Sequence, residues 1–217
     1  MLFFLKKRCI CAKLSIFVGK ITNMSNTNNR AYLCLSQQTY TQGSYTLTPL
    51  RHHDQEAIRL WRNEQIAILR QKKPLTQHEQ AVYYDTVVAK LFEVQQPNQL
   101  LFSFLLNNQL IGYGGLVHIS WEDKNAEISF LLETSRNQNP DLFKHEWDIY
   151  LHLLRQIAFE QLQFKKIYTY AYDIRPNLIA MLLDNGFVQE ARLRQHVCIE
   201  NVFHDVLIHA VFNEPNK

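Results

Sequence analysis

Arg175-Pro176-Asn177, Leu178-Ile179-Ala180-Met181-Leu182-Leu183 and Asp184-Asn185-Gly186-Phe187 form the stretch that decides the fold. A proline suits the first turn of a helix, where its missing N–H is not needed. A glycine suits the end, where a left-handed residue closes the last turn. The run therefore predicts a short helix from Pro176, a stop at Gly186 and a strand that begins near Phe187. Upstream, Lys166-Ile167-Tyr168-Thr169-Tyr170-Ala171-Tyr172 alternates as a strand does. Downstream, Glu190-Ala191-Arg192-Leu193-Arg194 leads on to His204-Asp205 in a last pair of strands.

The remaining segments fit around this unit. Tyr45 to Leu50 reads as a first strand, and Asp54 as the N-cap of a helix through Ile58, Leu60 and Trp61. After Pro74, Thr76 and Glu79 have capping-box spacing, with Val82, Tyr83, Val87 and Leu91 as the apolar positions of the helix they open. Leu100 to Leu106, Leu110 to Ser120 and Ala126 to Leu132 follow as strands, the first two joined by a two-residue turn at Asn107-Asn108. A long helix over 140–162 places Trp147, Tyr150, Leu151, Leu154, Ala158 and Leu162 on one stripe.

Composition sets limits on function. The chain has 217 residues, enough for one domain with a full core plus an extra segment. Hydrophobic content of 47% with 20% charged residues is that of an ordinary globular protein. A net charge of +3 suits a phosphate-bearing ligand but is too small to argue for nucleic acid. The four cysteines, Cys9, Cys11, Cys34 and Cys198, lack zinc-ligand spacing and read as reduced thiols of a cytoplasmic protein. No metal is expected. His52-His53-Asp54 is no exception, because neighbouring His side chains diverge and Asp54 is assigned to the cap.

Residues 1–40 are expected to be an N-terminal extension, and 41–213 the domain. Basic residues break the apolar run before Ile21, so neither a membrane span nor a signal peptide is predicted there. Met24 is a candidate start, with the first 23 residues dispensable.

The order of strand, "R-P-N" helix start, "N-G-F" stop and closing strands resembles the C-terminal half of the GNAT superfamily of acetyl-CoA-dependent N-acyltransferases. The branch it is most similar to acts on ribosomal-protein N-termini and amino sugars. The resemblance implies a mixed α/β fold of about seven strands, largely antiparallel with a central parallel pair and helices on both faces. It also implies acetyl-CoA as acyl donor and a small-molecule amine as acceptor, with no nucleic-acid or membrane partner and a homodimer left open.

It further implies site residues. Ala126-Glu127-Ile128-Ser129-Phe130 is similar to the element that carries the general base of GNAT histone acetyltransferases, which points to Glu127. An isolated carboxylate in an apolar strand also needs a partner or a cleft on physical grounds. The bland reading of Glu127 is a residue that only orders its strand. Cofactor contacts are expected from Leu131, Leu132 and Glu133, from Arg136, Lys144 and His145, and from Asn177. Leu60-Trp61-Arg62-Asn63 resembles a "W-R-N" element of amino-sugar acetyltransferases, so Trp61, Arg62, Asn63 and Arg70 are the acceptor-side candidates.

Two departures stand out. The positions where the family carries the glycines that bind the donor diphosphate hold Phe143, His145 and Trp147, and the position of its usual tyrosine acid holds Leu182. Gly112-Tyr113-Gly114-Gly115 does not replace the missing loop, because it lies within a strand and suits a bulge or a close backbone approach. The readings carried forward are an N-acetyltransferase of a nucleotide-linked amino sugar, an N-terminal protein acetyltransferase, and a non-catalytic module of this fold.

Overall fold

The computed structural model describes residues 30–213, so the expectations for the segment around Met24 lie outside the described residues. Gly43, at a positive φ of 59°, makes the turn that folds β1 (Tyr40–Gln42) onto β2 (Tyr45–Pro49). Asn107 and Asn108, at φ 49° and 65°, make the type I′-like turn between β3 (Leu100–Leu106) and β4 (Gln109–Ser120). With β5 (Asn125–Leu132), β6 (Lys166–Tyr172), β7 (Val188–Ile199) and β8 (Val202–Phe212), they build one eight-stranded sheet in the order β1-β2-β3-β4-β5-β6-β8-β7. Every pairing is antiparallel except β5 with β6. The strand beyond the expected seven is β1, too short at three residues to leave an alternating pattern. The core also begins earlier than the boundary at 41 suggested, because Tyr32, Leu35 and Tyr40 are buried in it.

One face of the sheet is covered by α5 (Pro140–Arg155), which runs on through a π turn at Gln156–Gln161. Its expected stripe is buried except for the partly exposed Leu162, and Tyr150 stacks on Phe130 of β5 at a ring separation of 3.6 Å. α6 (Pro176–Asp184) packs against α5 and ends at Gly186, whose φ is 75°. The short α4 (Thr134–Asn137) links β5 to α5.

The other face carries α1 (Gln55–Glu64) and α2 (Gln77–Tyr83), which continues through a π turn at Tyr84–Val88 into α3 (Ala89–Leu91). The capping box of Thr76 and Glu79 is formed as the spacing predicts. Two expectations here are corrected. Asp54 lies at the start of α1 but its side chain caps nothing. It is buried and accepts from both Arg51 donors at 2.8 Å and from Ser103 Oγ at 2.6 Å. A carboxylate satisfied by a guanidinium and a hydroxyl in the core gains more than one facing a helix end. Val82 and Val87 are 43% and 37% exposed, Leu91 is buried as expected, and Tyr84 and Val88 are buried in place of the two valines. The π turn adds one residue to the repeat and so rotates the buried stripe.

Gly114 and Gly115 serve close approach. A Cβ on Gly114 would sit 2.0 Å from the Ser129 carbonyl oxygen, and one on Gly115 1.8 Å from that of Leu100. Among the described residues no helix is long and apolar enough to cross a membrane.

Candidate active site

β5 and β6 are paired over only three residues, Asn125 with Lys166, Ala126 with Ile167 and Glu127 with Tyr168. Beyond that point β5 stays bonded to β4 as far as Leu132, and β6 to β8 as far as Tyr172. Each arm is thus held from its outer side while the two arms part from each other. The parting opens a cavity of ≈ 570 Å³, lined by residues from both faces of the sheet. Because side chains alternate along a strand, Glu127 looks toward α1 and α2 while Phe130 looks toward α5.

Glu127 sits at the apex. Its side chain is 7% exposed, and Arg70 Nη2 donates to its Oε1. The Arg70 guanidinium, 47% exposed, lies 4.6 Å from the ring centre of Tyr170. Leu69 next to it accepts from the Tyr172 hydroxyl at 3.3 Å, so the connection between α1 and α2 is stitched to the β6 arm. His118 Nε2 stands 3.9 Å from Glu127 Oε2. It is aimed there by a bulge between Val117 and Ser120, where His118 takes a φ of 49°. Burial pushes the Glu127 carboxyl above the ordinary carboxylate range, and Arg70 and His118 oppose the shift without cancelling it. The result is a carboxylate that binds a proton more readily than a surface glutamate.

Toward α2 the cavity is lined by hydroxyls. Arg62 Nη1 donates to the Tyr113 hydroxyl at 2.6 Å and its Nε to Gln71 Oε1 at 3.0 Å. Tyr83 and Tyr84 line the same end, and the buried Tyr84 hydroxyl has no protein partner among the described residues. Tyr113 pairs with Leu131 and so shares the Glu127 face of the sheet, four residues along, or about 13 Å at the usual strand rise.

The other acceptor-side candidates behave differently. Asn63 holds the loop after α1: Oδ1 accepts from Leu75 N and Gln71 Nε2, and Nδ2 donates to the Leu75 carbonyl. Trp61 is partly buried against the core and does not line the cavity.

The cofactor candidates are dispersed. Leu131 and Leu132 are buried in β5, and the Leu132 carbonyl accepts from Gln65 at 2.9 Å. Glu133 and Arg136 bond each other, and Arg136 also pairs with the fully buried Glu146. Lys144 bridges Asp184 at 2.9 Å and Asp148 at 3.6 Å. His145 meets the edge of Tyr45. Lys144, His145 and Asn177 do share a second groove of ≈ 490 Å³ between the starts of α5 and α6.

At the start of α5, Asn139 Oδ1 accepts from the N–H groups of Asp141 and Leu142 at 3.1 Å, and the Asn139 carbonyl from that of Phe143. The first turn of α5 is therefore closed by its own cap. Leu182 is fully buried in the core, so no acid stands there.

Residues the sequence reading did not select as site residues also line the cavity: Tyr83, Tyr84, Tyr113, His118, Tyr170, Tyr172 and Arg175. Alternation in the Tyr168 to Tyr172 strand is a signal that could have placed Tyr170 and Tyr172 on one face. Tyr113 and Arg175 left no such mark.

Comparison with known proteins bears on this geometry. A family model described as an acetyltransferase (GNAT) domain matches residues 47–208. No curated protein matches the chain. Among solved structures, spermidine N-acetyltransferase from Vibrio cholerae in complex with CoA and spermine aligns at TM-score 0.65 and 18% identity, covering 79% of this chain and 97% of that one. Ribosomal-protein-S5-alanine acetyltransferase from Vibrio fischeri aligns at TM-score 0.65 and 14% identity, covering 82% and 98%. At these identities the two structures share the fold.

Proposed function

This chain belongs to the GNAT acetyltransferase family, and on that premise we propose that it moves an acetyl group from acetyl-CoA to the primary amine of a small acceptor that also carries a carboxylate or phosphate. A nucleotide-linked amino sugar is the first choice within that class. The observation that carries the reading is the Glu127 carboxylate at the apex of the parted strands β5 and β6.

The residues present fit the donor. Two strand arms that are not bonded to each other leave an elongated gap for a pantetheine arm, and the gap opens to both faces of the sheet. The thioester supplies the acetyl group and a thiolate as leaving group. The protein's part is to hold amine and thioester together, which is worth on the order of 7–11 kcal/mol when both are well placed, and to take the proton released by the amine. Glu127 does the latter, directly or through one water, and its raised proton affinity suits the duty.

Charge in the cavity supports an anionic acceptor. Three arginines, Arg62, Arg70 and Arg175, line the cavity against two carboxylates, Glu79 and Glu127. Glu79 is held by Lys73 and by the Thr76 cap, and Glu127 by Arg70. No unpaired carboxylate among the described lining residues is free to receive a polyamine such as spermine. Arg62 with the Tyr113 hydroxyl is suited instead to an anion on the acceptor.

The test is release of CoA thiol from acetyl-CoA with three acceptors: a nucleotide-linked amino sugar, spermidine, and a peptide with a free N-terminus. Turnover that favours the anionic acceptor supports the reading. Preference for spermidine overturns the charge argument, and preference for the peptide supports an N-terminal protein acetyltransferase. Thiol release with none of them supports a non-catalytic module.

A further inference from the structure

Toward α2 the cavity holds hydrogen-bond donors for which the protein supplies no acceptor. Tyr84 is 1% exposed, lines the cavity, and has a hydroxyl that meets no protein partner among the described residues. A buried hydroxyl left alone is unfavourable unless something outside the protein satisfies it. Tyr113 is also buried, and its hydroxyl accepts from Arg62 Nη1 at 2.6 Å, which leaves the phenolic proton to be donated elsewhere. Arg62 Nε and Nη1 are bonded to Gln71 and Tyr113, and Nη2 has no acceptor among the described residues. These groups form one cluster, because the proton affinity of Arg62 is raised by Tyr113 most and by Tyr83 and Tyr84 as well. Burial raises the proton affinity of Tyr84, so it stays a hydroxyl and a donor. Asp54, the carboxylate that acts on Tyr84, is itself taken up by Arg51 and Ser103. Three donors without an acceptor of the protein's own suit an anionic oxygen of the ligand.

Spacing sets the length of that ligand. Tyr113 shares the Glu127 face of the sheet and stands about 13 Å along it at the usual strand rise. For a molecule lying along β5, a hydrogen bond of about 3 Å at each end leaves about 7 Å between its amine and its anionic oxygen. An extended carbon chain advances about 1.25 Å per bond, so this distance is about five or six bonds. We propose that Arg62, Tyr113 and Tyr84 together bind the anionic group of the acceptor and so select one whose amine and anion lie about five or six bonds apart. That span suits an amine on the far side of a sugar ring from its phosphate. It is too long for an α-amino acid, whose nitrogen and carboxylate carbon are only about 2.5 Å apart. The proposal rests on the acetyl-transfer reading above and adds to it the length of the acceptor and the residues that measure it.

The experiment measures thiol release from acetyl-CoA with glycine, γ-aminobutyrate, δ-aminovalerate and ω-aminooctanoate, each beside the alkylamine that lacks its carboxylate. The wild-type protein, Tyr84→Phe and Arg62→Met are compared. In the wild type the ratio of kcat/KM for amino acid to alkylamine is expected to peak at γ-aminobutyrate or δ-aminovalerate, at about 10–100-fold, the range of a charge-assisted contact. Tyr84→Phe should lower the peak ratio by about tenfold, through KM, and Arg62→Met should bring it to about one. A ratio cancels any general loss of activity that a substitution causes. A peak at glycine or ω-aminooctanoate, a ratio at or below one throughout, or a peak that either substitution leaves unchanged would overturn the proposal while acetyl transfer still stands. Thiol release with none of these amines and none of the three acceptors above would refute the acetyl-transfer reading, and the proposal with it.

Discussion

Glu127→Gln is the substitution that bears most directly on the chemistry. Gln has the same shape and keeps an oxygen for Arg70 Nη2, so the contact that holds the loop over the cleft survives. Arg70 is 47% exposed and needs no counter-charge to remain solvated. The change therefore removes basicity and little else. Loss of a general base lowers the maximal rate by roughly 10²–10⁴, or about 2.7–5.4 kcal/mol of transition-state stabilisation. Acetyl-CoA affinity should stay within about twofold. Stability should not fall at neutral pH. Burial raises the folded-state proton affinity of Glu127, so the ionised group opposes folding once the pH exceeds its ordinary 4.5, and a neutral Gln removes that opposition.

The assay is steady-state thiol release at saturating acceptor across pH, beside calorimetric binding of acetyl-CoA. The wild-type rate should fall as the pH drops through the raised Glu127 value. The Gln variant should lack that limb and follow only the deprotonation of the acceptor amine. Wild-type turnover by the Gln variant, or a loss of acetyl-CoA affinity as large as the loss of rate, would refute the assignment and leave Glu127 as a strand-ordering residue.

Three further outcomes are expected. Arg70→Met removes a cation that holds the Glu127 carboxyl down, so the acid limb of the rate profile should move upward. The shift should be less than about one pH unit, because the Arg70 end of the pair is 47% exposed and solvent screens such a contact to about 0.2–1 kcal/mol; an unmoved limb would mean that Arg70 leaves Glu127 during turnover. Gly114→Ala drives a methyl to 2.0 Å from the Ser129 carbonyl and 2.7 Å from Phe130 Cα, both on the backbone of the paired strand. The strain should reach or exceed the upper end of the usual 1–3 kcal/mol and lower the melting temperature by about 6–12 °C in differential scanning calorimetry; a change under about 2 °C would contradict so close an approach of β4 and β5. His209 is buried with Nδ1 unpartnered, and burial holds its proton affinity below the ordinary 6.5. The unfolded chain then takes the proton first, so stability present above pH 6.5 declines as the pH falls below it, and thermal scans of His209→Asn should show a shallower decline than wild type.

Local chemistry made much of this fold readable. Thr76 with Glu79, Asn107 with Asn108, and Gly186 each act within a few residues of themselves, so spacing alone places the cap, the turn and the helix end. Glu127 was legible for a different reason: a lone carboxylate between Ala126 and Ile128 is unfavourable in any buried strand, whatever the fold. What could not be read depends on chain distance. The partner of Glu127 is Arg70, 57 residues away, that of Arg62 is Tyr113, 51 away, and Asp54 bonds Ser103 across 49. Arg136 carried the charge a phosphate would want, yet a buried Glu146 on the next helix takes it, and no spacing rule links those two choices.

The π turn at Tyr84–Val88 has a consequence for how this helix tolerates changes of length. It holds one residue more than an α-helical turn between a fixed start, the Thr76 cap, and a buried end at Leu91. A single-residue deletion inside the turn can be absorbed by reversion to α-helical bonding, with the cap and the end both in place. The same deletion anywhere between the cap and Tyr83 would swing Tyr83 and Tyr84 by about 100° around the axis and withdraw both hydroxyls from the cavity. Single-residue deletions that preserve acceptor choice should therefore fall within this five-residue turn, and those that abolish it just before it.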